Sequence, residues 1–379
     1  MPQLSVYSLE PRSALHVGQR GVGLEETRYH IPADTLFAAL LATWVQLGGR
    51  AEEWTNAFPR DDAGGNPPFL LTSAFPYAGG VRFYPMPQAD LSRLGIQIGE
   101  RRKDLKRIAF VSEGIFRRMT TGQPLVSYFH DEGADPQDGV FLQDRNLWLA
   151  RDEVPQLPET MRRGQPASGA RRERPLRALE HAVVWVEGKV PRVTIDRRTN
   201  ASNIFHTGRV SFAPGCGLWF GVRWLAPATE QARYHHMLEQ ALSALADAGL
   251  GGERSVGYGA FTWKRHGEDA VEWPDPAPGD LYVTLSRYHP RSCEAPASFT
   301  GDGVAYSLQA VAGYLYSPLL AGQRRRRLQL VAEGSVLRAT DRPPFGDLVD
   351  VRPQVGSFPH PVWRYGLAWP VKLEVPHGK

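Results

Sequence analysis

Residues 251–261 have the sequence GGERSVGYGAF, a glycine-rich stretch that separates a predicted helix from a predicted strand. The helix covers residues 229–248, where apolar residues recur every three or four positions. Thr229 is its predicted N-cap, and Gly249 is its predicted end. The strand follows at residues 258–263. The order helix, glycine loop, strand therefore organises this part of the chain.

This order excludes two common kinds of glycine-rich nucleotide site. P-loops and dinucleotide-binding loops run from a strand into a helix, because the phosphate binds at the helix N-terminus. Here the loop follows a helix C-terminus, whose dipole repels anions. A phosphate bound here would need the loop amides and the side chain of Arg254. A long flexible turn is the alternative interpretation of the same glycines.

Length and composition are those of an ordinary globular protein. A chain of 379 residues is long for a single core, so two domains are expected. The net charge is +4 and the pI is near 9.1, and clustered arginines indicate basic patches that commonly meet phosphates or acidic partners. The two cysteines, Cys216 and Cys293, match no metal spacing and suit a reducing compartment. Without an N-terminal signal or an apolar run of about 20 residues, the sequence predicts a soluble cytoplasmic protein without membrane contact.

The N-terminal part has the pattern of a ferredoxin-like unit. Residues 4–9 predict a first strand, and Asp34 is the predicted N-cap of the helix that follows. Residues 69–75 and 81–84 then predict a hairpin. Strand, helix, strand, strand is the beginning of such a unit, which the helix and strand around the glycine loop would complete. The roughly 140 residues between them are too many for a simple connection, so the unit is predicted to carry large insertions.

A basic turn is the most informative part of this insertion. It joins two predicted strands at residues 190–195 and 205–212, and it contains Asp196, Arg197 and Arg198. Paired arginines among Asn, Ser and Asp residues could bind a phosphodiester through charge and hydroxyl groups. Ordinary turn chemistry on a solvated surface is the alternative interpretation.

A proline-rich segment at residues 267–280 indicates a domain boundary. The sequence therefore predicts an N-terminal domain of residues 1–266 and a C-terminal domain of residues 280–379. Within the second domain, a helix is expected at residues 307–316. The predicted fold class is α+β, with two similar half-sized units.

Seven short motifs occur in order along the whole chain and give it a family resemblance. They are residues 21–27 (GVGLEET), 34–40 (DTLFAAL), 193–197 (VTIDR), 252–259 (GERSVGYG), 285–286 (LS), 333–336 (EGSV) and 360–366 (HPVWRYG). In these motifs the chain resembles the RAMP superfamily of CRISPR-associated RNA-binding proteins, and within it the subunit-four family of the type III-A (Csm) effector complex. The type III-B counterpart is not firmly separated from it.

The resemblance implies a fold of tandem ferredoxin-like (RRM-like) domains with antiparallel sheets, large insertions and a glycine-rich loop before the last strand of the first domain. It also implies a non-catalytic role in which the subunit caps the 5′ handle of the CRISPR RNA. The implied protein partners are a large palm-domain subunit and a backbone RAMP subunit, with target RNA contacted only indirectly. A β-hairpin thumb, expected in the insertion at residues 112–190, would displace a nucleotide near the junction of handle and spacer.

Catalysis has little support in the sequence. His16 lies in the loop where repeat-cleaving RAMP relatives place an acid-base histidine, but cleavage needs a second positioned group and no partner is evident. Asp34 occupies the start of a helix, which favours N-capping over a role in metal-dependent cleavage. No metal site and no cofactor are predicted. A guide-processing ribonuclease and a purely scaffolding subunit remain the alternative functions.

Binding of single-stranded RNA makes better use of these residues, because bases stack on aromatic rings and arginines meet phosphates. The predicted RNA-binding residues are His16, Arg20, Arg192, Asp196, Arg197, Arg198, Gly251, Gly252, Arg254, Ser255, Gly257 and Tyr258.

Overall fold

The structure is a computed structural model. It describes residues 3–18, 26–61, 63–97, 102–163, 173–195, 198, 202–266, 273–315, 323–353 and 358–374. The α-helices are α1 (Ala33–Gln46), α2 (Glu52–Thr55), α3 (Arg102–Arg107), α4 (Glu113–Thr120), α5 (Glu159–Arg162) and α6 (Ala228–Ala248).

Strands up to residue 266 belong to the N-terminal part. They are β1 (Gln3–Pro11), β2 (Phe69–Leu71), β3 (Phe75–Ala78), β4 (Val81–Pro85), β5 (Phe110–Ser112), β6 (Gly139–Leu142), β7 (Leu147–Ala150), β8 (Trp185–Ile195), β9 (Ser202–Phe212), β10 (Cys216–Trp224) and β11 (Phe261–His266). The C-terminal strands are β12 (Leu281–Thr284), β13 (Leu308–Val311), β14 (Leu328–Val331), β15 (Val336–Arg338), β16 (Gly346–Asp350), β17 (Trp363–Leu367) and β18 (Pro370–Leu373).

One nine-stranded sheet dominates the N-terminal part. Its order is β11-β1-β10-β3-β4-β5-β7-β6, and β2 pairs with β10 beside β3. The pairs of β1 with β10 and β11, and of β10 with β3, are antiparallel, whereas β5 and β7 are parallel. The two helices that follow β1 and β10, α1 and α6, contact each other. This mixed, mainly antiparallel architecture confirms the α+β prediction.

Strand β10, which pairs with both β1 and β3, was not predicted from the sequence. Residues 81–84, predicted as one strand of a hairpin, form β4, whereas β10 lies between β1 and β3. Every residue of β10 is buried. A continuous buried run lacks the alternating pattern that marks a half-exposed strand, so its sequence gives no position in the sheet.

Both predicted helix caps are wrong. Helix α6 begins one residue before Thr229 with Pro227 as N-cap, and no side chain caps it. Helix α1 begins after Pro32, and its first amide, that of Ala33, donates a hydrogen bond of 2.8 Å to the hydroxyl of Ser73. Ser73, in the connection between β2 and β3, therefore caps the helix in place of Asp34. The predicted end of α6 at Gly249, which has a φ of 86°, is confirmed.

The C-terminal part contains smaller sheets, of order β15-β12-β18, β13-β14 and β16-β17. The helix predicted at residues 307–316 is wrong where the structure describes it, since Leu308–Val311 forms β13. Its backbone pairs with Leu328–Val331, and this long-range pairing overrides a weak local preference. Buried side chains from both parts, Phe37 of α1 and Tyr365 of β17 among them, belong to one hydrophobic core.

A long hairpin forms a sheet of its own. Strands β8 and β9 pair in register over their full length, from Trp185 with Phe212 to Ile195 with Ser202. By contrast, much of the segment in which the thumb was expected lies in the main sheet, as β6 and β7, or in helix α4. At the base of the hairpin, Trp185 stacks on Tyr29 with ring centroids 4.5 Å apart.

Candidate nucleic-acid interface

The glycine loop between α6 and β11 packs closely on the chain that follows β1. The amide of Gly252 donates to the carbonyl of His16 at 2.8 Å, and the amide of Gly259 donates to that of Ala14 at 2.9 Å. Gly251 has a φ of 98°, and a Cβ there would lie 2.5 Å from the His16 carbonyl oxygen. Positive φ and close backbone contact together require glycine at this position.

His16 connects this loop to the hairpin. Its side chain is buried, and Nδ1 lies 2.8 Å from the carbonyl oxygen of Gly208 in β9. A carbonyl only accepts hydrogen bonds, so Nδ1 carries the proton. One residue thus holds the glycine loop through its carbonyl and the hairpin through its ring.

An arginine of the hairpin and a tyrosine of the glycine loop form a second contact between these two elements. The guanidinium carbon of Arg192, on β8, is 5.8 Å from the ring centroid of Tyr258, and both residues are half-buried. Nε of Arg192 is buried and has no hydrogen-bond partner within the described part of the chain. Ser255 and Gly257 are exposed on the same loop as Tyr258. Stacking and charge are therefore available together at a solvent-facing edge.

The structure brings together most of the predicted RNA-binding residues whose positions it describes. His16, Gly251 and Gly252 are in contact, and Arg192 packs on Tyr258. Arg198 is exposed beyond the end of β8, in the connection to β9. Three of the predicted residues, Arg20, Asp196 and Arg197, lie outside the described residues.

A buried ionic cluster forms around Asp34 and was not predicted from the sequence. Nη1 of Arg287 is 3.1 Å from Oδ1 of Asp34, and Nη1 of Arg364 donates to Oδ2 of the same carboxylate. Glu333 lies 3.7 Å from Nε of Arg287 and accepts a 2.6 Å hydrogen bond from Ser73. The motifs at residues 34–40, 333–336 and 360–366 each supply one of these residues. Their spacing in sequence gave no sign of this, because the contacts join distant segments.

The electrostatics of this cluster follow from burial and pairing. Burial would raise the pKa of Asp34, but Arg287 and Arg364 outweigh it and hold that pKa below its ordinary value. Burial opposes ionisation of Glu333 as well, and Arg287 again keeps the pKa low. Burial lowers the pKa of His30 to about 4. Both carboxylates are therefore ionised, and the imidazole is neutral, at neutral pH.

The described residues offer neither a metal site nor a membrane-spanning helix. No three His, Cys, Asp or Glu side chains there lie close enough together to hold a metal ion. None of the described helices combines the length and apolar character needed to span a membrane.

Comparisons with known proteins agree with this architecture. Residues 277–373 match the family model of the CRISPR Csm4 C-terminal domain. The Csm4 protein of Thermococcus onnurineus (strain NA1) is 27% identical over 350 residues, which cover 91% of this chain and 92% of that protein. The Csm4 protein of Methanocaldococcus jannaschii is 20% identical over 368 residues, with coverage of 91% and 88%.

Two solved structures share the fold. A Csm3–Csm4 subcomplex of a type III-A interference complex contains a chain that aligns with a TM-score of 0.61 at 15% identity, over 98% of this chain and 99% of that one. A Csm1–Csm4 cassette bound to cA4 gives a TM-score of 0.54 at 19% identity, over the whole of both chains.

Fold, matched domain and relatives together indicate the class: the chain resembles subunits of type III CRISPR effector complexes. Within that class, the particular protein that it resembles is Csm4.

Proposed function

We propose that the chain is a non-catalytic, cytoplasmic RNA-binding subunit that caps the 5′ handle of the CRISPR RNA. The observation that carries this proposal is the junction at His16, where the glycine loop and the β8–β9 hairpin meet. Close backbone, an aromatic ring and an arginine are the groups that recognise unstacked bases and phosphates. Arg192 and Tyr258 supply the last two at this junction.

The β8–β9 hairpin is the best candidate for the thumb. Val193, Ile195 and Ile204 are 57%, 62% and 66% exposed near its end. Val193 lies directly opposite Ile204, and Ile195 follows on the same face. Exposed apolar side chains grouped in this way mark an interaction surface. Apolar side chains can also enter between bases, so this group suits the displacement of a nucleotide.

The proposal includes two protein partners. The solved relatives are a Csm3–Csm4 subcomplex and a Csm1–Csm4 cassette, so we infer that this chain docks counterparts of Csm3 and Csm1, with target RNA contacted indirectly. The division into domains of residues 1–266 and 280–379 is also part of this proposal. It is supported by the sheets, since the nine-stranded sheet uses only strands up to His266.

RNA binding by the purified chain, with and without the large subunit, tests the proposal. Labelled guide RNA with an intact or scrambled handle is titrated at two salt concentrations, because phosphate contacts weaken with salt. We expect affinity that depends on the handle and RNA that stays uncut. Equal affinity for both RNAs would leave a scaffolding role, and shortened RNA would restore His16 as a candidate catalyst.

A pair of variants locates the binding surface. Arg192→Gln removes a charge at the junction, whereas Arg233→Gln removes one from a residue of α6 that is 57% exposed. We expect weaker handle binding only for Arg192→Gln. Equal effects of the two substitutions would indicate nonspecific attraction to a basic surface.

A further inference from the structure

A cavity lies beside the segment that follows His16. It has a volume of about 80 Å³ and is lined by Val17 and Gly18, by residues 310–312, and by three arginines, Arg28, Arg287 and Arg364, together with Pro32 and Thr35. Among the described residues, the charged side chains in this lining are all arginines. Because the lining comes from both parts of the chain, the cavity exists only when they are packed together.

The guanidinium groups around this cavity carry more N–H donors than the surrounding residues offer acceptors. Oε1 of Gln309 accepts from Nη1 of Arg28 at 3.0 Å and from Nη2 of Arg287 at 2.8 Å. Asp34 accepts from both Arg287 and Arg364. In the part of the chain that the structure describes, Nε of Arg364 is buried without a hydrogen-bond partner, and Nε of Arg287 makes no hydrogen bond but lies 3.7 Å from the Glu333 carboxylate. Buried guanidinium groups with unused donors favour an additional acceptor.

The balance of charge in the cluster also favours a bound anion. The cluster contains the guanidinium groups of Arg28, Arg287, Arg325 and Arg364 and, among the described residues, the carboxylates of Asp34 and Glu333. Burial lowers the pKa of Arg28, with Arg287 as a further cause. The four guanidinium groups outnumber the two carboxylates, so positive charge exceeds negative charge among the described residues of this cluster. An anion would restore the balance and supply the missing acceptors.

We propose that this cavity binds an oxyanion of the phosphate class, and that its occupant in the RNA complex is a phosphodiester group of the handle. The second half of this statement rests on the proposed function. Val17 and Gly18 line the cavity, and the preceding residue, His16, contacts the glycine loop. A bound strand passing from the glycine loop along residues 16–18 would therefore bring a phosphate to the arginines. Planar guanidinium groups recognise phosphate oxygens through paired hydrogen bonds.

The first test uses inorganic phosphate and no RNA. Thermal unfolding of the full chain is compared in phosphate and in chloride at equal ionic strength, because a ligand that binds only the folded state raises the unfolding temperature. We expect stabilisation by phosphate in the wild type and its loss in Arg28→Gln. Arg342→Gln, a substitution of a residue whose side chain is 65% exposed, is the control that should keep the effect.

A second variant tests the same site in case Arg28→Gln fails to fold. Gln309→Glu keeps the size of the side chain and places a carboxylate between Arg28 and Arg287, where it would take the place of the anion. We expect this variant to fold and to lose the phosphate effect. Absence of phosphate stabilisation in the wild type, or equal stabilisation in all four proteins, would overturn the cavity proposal whether or not the chain binds RNA.

The second test distinguishes the source of the phosphate. For single-stranded RNA, the slope of log affinity against log salt falls by about 0.7 for each phosphate contact that is lost. We expect Arg28→Gln to reduce the slope by about this amount for handle RNA. An unchanged slope, together with loss of the inorganic phosphate effect, would show that the cavity binds a free phosphate-class ligand and would reject the RNA half of the proposal.

Discussion

The carboxylate of Asp34, in the first turn of α1, lies 3.1 Å from the guanidinium of Arg287, which is 253 residues later in the chain. Arg364 donates to the other carboxylate oxygen, and Asp34 is fully buried. The pair ties the helix of the ferredoxin-like unit to the C-terminal part. It also places Arg287 and Arg364 in the lining of the proposed oxyanion cavity.

Asp34→Asn is expected to lower the free energy of unfolding by about 3–5 kcal/mol, because it leaves two buried guanidinium groups with a neutral partner. Urea denaturation at neutral pH measures the effect. Asp247→Asn is the matched control, since Asp247 is 83% exposed beside Arg12 and its loss should cost about 1 kcal/mol or less. Similar losses for the two variants would contradict the assigned role of the buried pair.

Gly251→Ala and Gly257→Ala separate backbone strain from close packing. Both glycines have positive φ, 98° and 87°, so each substitution should cost about 1–2 kcal/mol from strain. Only at Gly251 would the new Cβ meet the His16 carbonyl, at 2.5 Å, whereas nothing lies within 4 Å at Gly257. We therefore expect a larger loss of stability and of handle affinity for Gly251→Ala. Thermal unfolding and RNA titration of the two variants side by side decide this, and a larger effect at Gly257 would contradict the packing described.

Tyr258→Ala should weaken handle binding by about 1–3 kcal/mol, which is roughly 5- to 150-fold in affinity, if a base stacks on this ring. Tyr258→Phe keeps the ring next to Arg192 and should bind nearly as well as the wild type. Fluorescence anisotropy with handle RNA measures both. Equal loss in the two variants would assign the contribution to the hydroxyl group and would exclude stacking.

The pH dependence of stability should include a contribution from His30. Burial lowers its pKa from 6.5 to about 4, so the unfolded chain binds a proton in this range that the folded chain does not. Stability is therefore full above pH 6.5 and falls as the pH drops toward 4. In His30→Gln, the decline between pH 6.5 and 4.5 should be smaller by about 1–3 kcal/mol.

Urea denaturation across this pH range tests the prediction for His30, with each protein referred to its own value at pH 7.5, where the imidazole is neutral in both states. Curves that remain parallel would show that His30 is not the titrating group. Asp34 and Glu333, whose pKa values are lowered, add to the decline only at more acidic pH.

Local sequence patterns predicted much of the fold. The three- and four-residue spacing of apolar side chains predicted α6, and a glycine with positive φ ended it where expected. The glycine loop before the edge strand β11 was also predicted, although the strand starts at Phe261 because Gly257 and Gly259 have positive φ. These features depend on neighbours along the chain, so sequence patterns indicate them directly.

The candidate site was predicted in part. The glycines, His16, Arg192 and Tyr258 were recognised by residue type and motif, yet nothing in the sequence said that His16 would join the glycine loop to Gly208 of the hairpin. The arginine cavity was not predicted at all. Its lining comes from segments hundreds of residues apart, and each arginine by itself resembles a surface residue.

The sequence by itself therefore determined the helices with strong periodicity, the glycine loop and the family motifs, because these depend on short-range spacing and residue type. Only the tertiary structure decided that β10 lies between β1 and β3, that Ser73 caps α1, and that Asp34 is an ion-pair partner of Arg287. A buried strand, a cap from another segment and a buried ion pair all depend on which distant groups pack together. That choice is made by the burial of the whole core, which no local pattern contains.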